Sequence, residues 1–589
     1  MSSSSRGFAG SRRAVLVCLA ALALGAALRG VWLTADPPSH ATVGIVWHDE
    51  GPWVHNARNK VLWNQWRTDE WNPVFLTPVF TVLEYVAFST FGVGTWQARL
   101  VPVASGLAAV LLLAAGLGAV AGPRCAATGA ILLATNYVFV MWNRAALMES
   151  TMTAMIVMAW ASYAIAERQP RVGLLAGAAV VAAWFTKASS AFFVAAILID
   201  CLTTVALAWL PAVRRKARMN EPTPAVLAGA YWTLVGLALT GAAALIWFVV
   251  PHWHEYQFYN WQMSVVRKPA YTLRALLDRA SWIPIVHDFF TRMWLVLVAA
   301  ALSLLTIAAR WRTATPSERL LAWWVLLGMA ELVVHDSGNE RRYVMLIPAL
   351  VGLASLLLAR THPVLRHSSV EGRYARWAAF PVLLVLAYLV AGSMIRLASI
   401  YEVRPGVRLS ALAALLCASY GVIRWRALRG WLVRQEMPPV HAAVVVALAA
   451  GGDLAQYAQW AATRSDDNYR ASRTLAGVLP AGTLVHGKLA NGLSLENRIR
   501  PVFVGREFGN YADRKTRDDV RYILTYVAPR VGYEGSVIND VLDAYPNRTI
   551  IMTFDVAETA TGRDRAALID KFGDGRASTS GHVAGRAHD

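Results

Sequence analysis

Thirteen runs of apolar residues, each close to the roughly 20 that a helix needs to cross a bilayer, lie before Thr463 in this 589-residue chain. They fall near 14–34, 101–121, 125–142, 151–166, 172–186, 189–211, 225–250, 290–309, 320–335, 343–359, 377–396, 409–423 and 439–461. Nothing after Thr463 is long and apolar enough to join them. The pattern predicts a polytopic α-helical membrane protein of about 13 spans over 1–463, followed by a soluble region over 464–589. That last region alternates short apolar runs (Thr483 to His486, Tyr522 to Tyr526, Thr549 to Phe554) with helical stretches such as Ser536 to Ala544. This alternation predicts a small α/β domain.

Charged residues make up 16% of the chain, against about a quarter in soluble domains, which argues against a cytosolic enzyme. The net charge is +19, and its location decides what it means. From Ser465 onward there are 17 basic and 16 acidic residues, leaving 39 against 21 in the apolar part, so nucleic acid is a poor explanation. With the N-terminus in the cytoplasm, the loops falling inside hold 18 basic residues, from Arg124 to Arg434, against five acidic ones. That asymmetry is the positive-inside signal. An odd number of spans then leaves the C-terminal domain outside the cytoplasm, and the protein is expected in the cytoplasmic (inner) membrane. The segment Val74 to Phe91 would reverse the count if it crossed. It carries Pro78 and Glu84 and is read as a helix lying in the outer interface. The four cysteines, Cys18, Cys125, Cys201 and Cys417, sit in or beside apolar runs and imply neither a disulfide framework nor a metal-thiolate site.

Three outer stretches are long or polar for a protein of tight turns: His40 to Leu100, His252 to Phe290 and His335 to Arg342. Such loops tend to carry function. The first contains His48-Asp49-Glu50-Gly51-Pro52-Trp53. Its paired carboxylates are either a solvated turn around Gly51-Pro52 or a site in which one of them acts as a general base. Glu149, on the same outer side, is either a helix N-terminal carboxylate or a second acidic member of that site. Lys187 stands in apolar surroundings, where a cation needs an anionic partner or must reach for the interface. Arg341-Arg342 stand outside, against the charge trend, and suit either bidentate phosphate binding or contact with anionic lipid. His252 and His254 read first as interface residues, with a metal site as the lesser alternative.

This ordered set resembles one family. The Asp49-Glu50 pair after the first span, Arg144 to Glu149 after the third, Thr186-Lys187 ending the fifth and Arg342-Tyr343 leading into Pro348 look like the GT-C membrane glycosyltransferases. The similarity is to the branch of the protein O-mannosyltransferases and the lipid A aminoarabinose transferase, over most of 14–360. It implies a GT-C-like fold and an inverting transfer of a sugar from a polyprenyl-phosphate carrier to a lipid, glycan or protein acceptor at the outer face. By position, Asp49 would be the catalytic base, Glu50 its support and Glu149 the second acidic residue. Lys187, Arg341, Arg342 and Tyr343 would serve the donor phosphate. Where the aminoarabinose branch has a basic residue shortly after the acidic pair and a lysine before the interfacial proline, this chain has Gly51-Pro52-Trp53 and Asn72-Pro73. Arg58, Lys60 or Arg67 are the candidates to stand in. No metal ligands are assigned and no organic cofactor is expected; participation of a divalent cation is left open. The competing reading is a polytopic secondary transporter, which would be built on internal repeats and midplane charges. No convincing repeat is present, and the polar groups gather at one face.

Overall fold

The computed structural model describes residues 3–38, 47–212, 221–266, 273–278, 292–335, 340–359, 439–505, 512–527, 537–559 and 562–573, together with isolated positions such as Asn510. The expected span 377–396, and all of 409–423 except isolated positions, lie outside the described residues.

Among the described residues, five helical stretches are long and apolar enough to cross a membrane: Arg12–Gly30, Thr95–Ala121, Ala188–Trp209, Pro224–Val249 and Pro439–Val478. Pro78–Phe91, Pro170–Thr186, Trp294–Ala308 and Tyr343–Leu358 are apolar but shorter. In chain order the first elements are α1 (Ser3–Gly30), α2 (Glu50–Trp63), α3 (Pro78–Phe91), α4 (Thr95–Ala121), α5 (Pro123–Thr135), α6 (Tyr137–Trp142), α7 (Met148–Ala166) and α8 (Gly173–Thr186). α7 is buried on almost every side and packs against α4 and α8, so it forms the axis of the helical body. The single span expected over 125–142 is divided into α5 and α6. The break is at Asn136, whose side chain leaves the first helix and accepts a hydrogen bond from Phe139 N at 3.0 Å, capping the second. α3 has 14 residues and is therefore roughly 21 Å long, short of the ~30 Å of bilayer hydrocarbon.

The chain continues through α9 (Ala191–Trp209), α10 (Pro224–Ala244), α11 (Trp253–Trp261), α12 (Trp294–Ala309), α13 (Pro316–His335) and α14 (Ile347–Leu358), then α15 (Pro439–Thr463) and α16 (Asp467–Val478). One side of the helical body is locked by ion pairs. Asp200 of α9 accepts from Arg319 of α13 at 2.8 Å and from the Tyr163 hydroxyl at 2.8 Å, and Arg310 pairs with Glu318.

After α16 come β1 (Leu484–His486), α17 (Lys488–Gly492), β2 (Arg500–Val502), β3 (Tyr522–Tyr526), α18 (Val537–Asp543), β4 (Thr549–Thr559) and β5 (Gly562–Asp570). The strands form one mixed sheet in the order β2-β1-β3-β5-β4. β1 is parallel to both β2 and β3, and β5 is antiparallel to both β3 and β4. The core of this sheet unit includes Trp47 alongside Leu475, Val485, Leu489 and Leu524. A side chain from the loop after α1 is thus buried in the C-terminal unit. Asp36, just after α1, ties the two parts from the other side. Its carboxylate accepts from the Ser465 hydroxyl (2.7 Å) and from the backbone N–H groups of Asp467 (2.7 Å) and Asn468 (3.2 Å) at the start of α16. It satisfies donors that the helix N-terminus leaves open.

Candidate active site

The residues Trp47–Asp49 form a single 3-10 turn that runs straight into α2. Two features explain this local structure. Burial of Trp47 in the sheet core pins the turn, and the acidic Glu50 with Pro52 in the first helical turn suits a helix start. Gly51-Pro52 are therefore the beginning of a buried helix rather than a solvated turn. His48, Asp49 and Glu50 are 8%, 4% and 4% exposed, so their charges must be met by protein groups.

The two neighbouring carboxylates face different partners. Glu50 accepts from Arg99 Nε at 2.8 Å, from Arg99 Nη2 at 2.7 Å and from Ala146 N at 2.7 Å. Arg99 spends its remaining nitrogen on the carbonyls of Leu33 (2.8 Å) and Ala35 (2.6 Å). Asp49 instead lies 2.6 Å from Arg341 Nη2 and pairs with Lys488 Nζ; His48 Nε2 is 4.0 Å away. Burial alone would raise the Asp49 carboxyl, but the cations of Lys488 and Arg341 outweigh it and hold it well below the usual carboxylate range. The same environment pushes His48 down to about 3, by burial first and the Lys488 charge second. Its imidazole is therefore neutral at ordinary pH. The Tyr526 hydroxyl lies 3.1 Å from His48 Nδ1.

Glu149 opens α7 and meets Lys187 Nζ at 2.5 Å. Lys187 can reach it because the chain leaves α8 there with an extended backbone (φ −163°, ψ 124°). The second oxygen of Glu149, Oε2, is buried with no hydrogen-bond partner among the described residues. Arg341 links the two carboxylates, since its charge acts on Glu149 as well as on Asp49. It belongs to a 3-10 segment, Glu340–Leu346, that packs on α7.

The structure thus brings Asp49, Glu149, Lys187 and Arg341 into one ionic cluster, with Glu50 beside it. Tyr343 is 1% exposed and part of the apolar core of the helical body; the Arg342 side chain is outside the described residues. Arg58 is placed elsewhere. Its guanidinium donates to the carbonyls of Ser494 (3.1 Å), Asn497 (3.0 Å) and Ile499 (3.0 Å), where it clamps α2 to the sheet unit. Arg144, in the motif before Glu149, likewise has a structural task. It donates to the carbonyls of Leu28, Arg29, Val31 and Trp32, closing the C-terminus of α1. His252 packs against Phe75 and Phe248. Among the described residues no group of three His, Cys, Asp or Glu side chains is placed to hold a metal ion.

Three functional neighbours escape sequence reasoning: Lys488, Arg99 and Tyr526. Lys488 reaches Asp49, Arg99 reaches Glu50 and Tyr526 reaches His48, each from a distant part of the chain. Only Lys488 carries a local signal, a lysine directly after a glycine between a strand and a helix.

No curated protein matches the chain. Residues 76–236 match the family described as dolichyl-phosphate-mannose-protein mannosyltransferase. The match spans 161 of the 589 residues. The matched residues include Glu149 and Lys187; Asp49 and Arg341 lie outside them. Among solved structures, the chain is similar to ArnT from Cupriavidus metallidurans in the apo state, at 16% identity over 96% of this chain and 99% of that chain, with a TM-score of 0.49. It is also similar to the same protein bound to undecaprenyl phosphate, at 16% identity over 95% and 98%, with a TM-score of 0.47. For the Archaeoglobus fulgidus oligosaccharyltransferase tethered with an acceptor peptide, the figures are 13% identity, 87% and 69%, and a TM-score of 0.44.

Proposed function

We propose that this protein is a membrane glycosyltransferase of the GT-C class that moves a sugar, with inversion, from a polyprenyl-phosphate carrier to a lipid, glycan or protein acceptor at the outer face of the cytoplasmic membrane. The observation that carries the reading is the cluster itself. Two carboxylates and two cations from four separate segments share one buried site beside the helical body. Displacing a phosphate from an anomeric carbon needs positive charge at the leaving oxygen, which preorganised cations supply. Lys187 and Arg341, with Arg342 next in the chain, take that role. Asp49 takes the proton of an acceptor hydroxyl as the nucleophile attacks from the opposite side of the ring. Glu149 orients Lys187, and Glu50 keeps the start of α2 in place through Arg99. Support for a lipid-phosphate donor also comes from the matched family, whose description names one.

In this reading the N-terminus is cytoplasmic, and residues 464–589 form an extracytoplasmic domain above the site. The basic loops on the opposite side and the near-neutral C-terminal region support that orientation.

The test uses purified full-length protein with labelled polyprenyl-phosphate mannose, arabinose or aminoarabinose and a membrane extract as the source of acceptor. Transfer of label from one of these donors is expected, and Asp49→Asn should reduce it about 10²- to 10⁴-fold. Lys187→Ala should weaken binding of polyprenyl phosphate by roughly tenfold or more, as for a lost charge-assisted contact. An Asp49→Asn variant with full transfer would exclude Asp49 as the base. Protease added to intact spheroplasts should clip 464–589, and protection there until lysis would overturn the orientation.

A further inference from the structure

The sheet unit touches the acidic loop through more than packing. α17 lies directly on the 3-10 turn and the first turn of α2, with backbone against backbone. A Cβ on Gly51 would stand 1.8 Å from the Asn491 carbonyl oxygen, and one on Gly492 would stand 3.0 Å from His48 Cα. Three side-chain links accompany this contact. Trp47 enters the sheet core, the Tyr526 hydroxyl meets His48, and Asn491 Nδ2 lies 3.0 Å from His55 Nδ1. Between them, Lys488 extends its ammonium to Asp49. Lys488 is 7% exposed. A lysine buried to that degree is costly unless it is paired, and a purely structural unit would have no reason to bury one against a reacting carboxylate.

We propose that Lys488 is a positioning residue of the active site, reaching across from the sheet unit to fix the Asp49 carboxylate for reaction. This rests on the reading of Asp49 as the base. The backbone aims the lysine. β1 ends at His486, and Gly487 turns the chain with φ +122°, a conformation that favours glycine. A Cβ there would also strike the Leu524 carbonyl oxygen at 2.4 Å. Lys488 then starts α17 facing the turn that carries Asp49. The charged and titratable groups facing Asp49 are His48 on its own turn, Lys488 from α17 and Arg341 from the segment before α14. Glu50 is turned away to Arg99. Arg341 comes from the helical body and Lys488 from the sheet unit, so the carboxylate is held between the two parts of the protein. When a donor phosphate enters, it competes for Arg341, and Asp49 is freed on that side to accept a proton while Lys488 keeps it oriented.

The experiment compares full-length wild type, Lys488→Met, Lys488→Arg and Asp49→Asn, using the labelled polyprenyl-phosphate sugar that is transferred in the assay above. Lys488→Met should lower kcat by tenfold or more and change the donor KM far less. It should also move the acid limb of kcat/KM upward by roughly one to three pH units, as expected when a cation within contact distance of a carboxylate is removed. Lys488→Arg should bring both back towards wild type, which a merely structural lysine would not require. An acid limb in Lys488→Met identical to wild type, with Asp49→Asn inactive, would overturn the role of Lys488 and leave the base assignment standing. An active Asp49→Asn would overturn both. If Lys488→Met is lost to aggregation, the pH profile of Lys488→Gln serves in its place, with the same two outcomes.

Discussion

Arg99 grips Glu50 with both edges of its guanidinium, Nε at 2.8 Å from one carboxylate oxygen and Nη2 at 2.7 Å from the other. Both groups are buried, and the fork geometry is the one arginine forms best. The pair joins α4 to the start of α2 and, through the Leu33 and Ala35 carbonyls, to the end of α1. Glu50→Gln should therefore destabilise the protein by about 3 kcal/mol, because it leaves a buried guanidinium without its counter-charge. Thermal unfolding in detergent measures this. Glu50→Gln combined with Arg99→Met should cost less than the sum of the single changes, as groups in direct contact are not additive. An additive result would show that the pair is not coupled.

Arg58 gives a second test, since its place in the acidic loop invites a donor contact and its hydrogen bonds point elsewhere. The guanidinium fills three carbonyls of the sheet unit, and a lysine cannot reproduce that fork. Arg58→Lys should lower the unfolding midpoint and leave the affinity for polyprenyl phosphate within about twofold, whereas loss of a charged phosphate contact costs tenfold or more. Titration of the variant with polyprenyl phosphate decides between them.

The helical architecture is legible in the sequence because apolar runs of span length carry a strong signal, and the described helices follow those runs closely. The exception, Asn136, is a polar residue that caps a new helix inside an apolar run, and hydropathy averages over it. In the C-terminal region the apolar runs Thr483 to His486, Tyr522 to Tyr526 and Thr549 to Phe554 fall on the strands Leu484–His486, Tyr522–Tyr526 and Thr549–Thr559. Arg500–Val502 and Gly562–Asp570 are hidden because an arginine-proline start and the charged GRDRA sequence lack an apolar run. The site is legible only in part. Asp49, Glu149, Lys187 and Arg341 are each an ionisable group close to an apolar run of the sequence, and that cost marks them individually. Their partners Arg99 and Lys488 lie on distant segments, and one sequence holds no record of such pairings. Gly51 is the instructive case. Beside a proline it reads as a turn, yet it is required by the approach of another part of the backbone.

His486 makes one pH dependence testable. It lies on β1, 2% exposed, with Nδ1 lacking a hydrogen-bond partner among the described residues. Burial, followed by the charges of Lys571, Arg514 and Arg517, pushes it down to about 3, against about 6.5 in an unfolded chain. Below pH ~6.5 the unfolded chain binds a proton that the native state refuses, so stability falls as pH drops from about 6.5 towards 3 and is unaffected above. Asp36 works in the opposite direction, because burial raises it to about 6. The comparison must therefore be between variants at each pH. His486→Leu should gain stability relative to wild type as pH is lowered from 6.5 to 4. Parallel unfolding midpoints across that range would exclude the effect.

The final prediction concerns the contact that lets Lys488 reach Asp49. Gly51 has no room for a methyl group. The Asn491 carbonyl oxygen and carbon would lie 1.8 and 2.4 Å from its Cβ, and Gly492 N 2.9 Å. All three are backbone atoms, so no side chain can rotate away, and relief requires α17 to move off the start of α2. Overpacking of this kind costs about 1–3 kcal/mol, but the larger consequence is functional. A shift of even 1 Å there draws the Lys488 ammonium from the Asp49 carboxylate, and misplacement on that scale can cost a hundredfold in rate. Gly51→Ala should therefore lose sugar transfer out of proportion to its loss in thermal stability. Gly451→Ala is the control, since a Cβ at Gly451 on α15 meets nothing within 4 Å. Replacing a helical glycine with alanine in open space should raise stability by roughly 0.5–1 kcal/mol and leave transfer unchanged. Equal activity in the two variants would show that the close approach of α17 to the acidic turn is not needed for turnover.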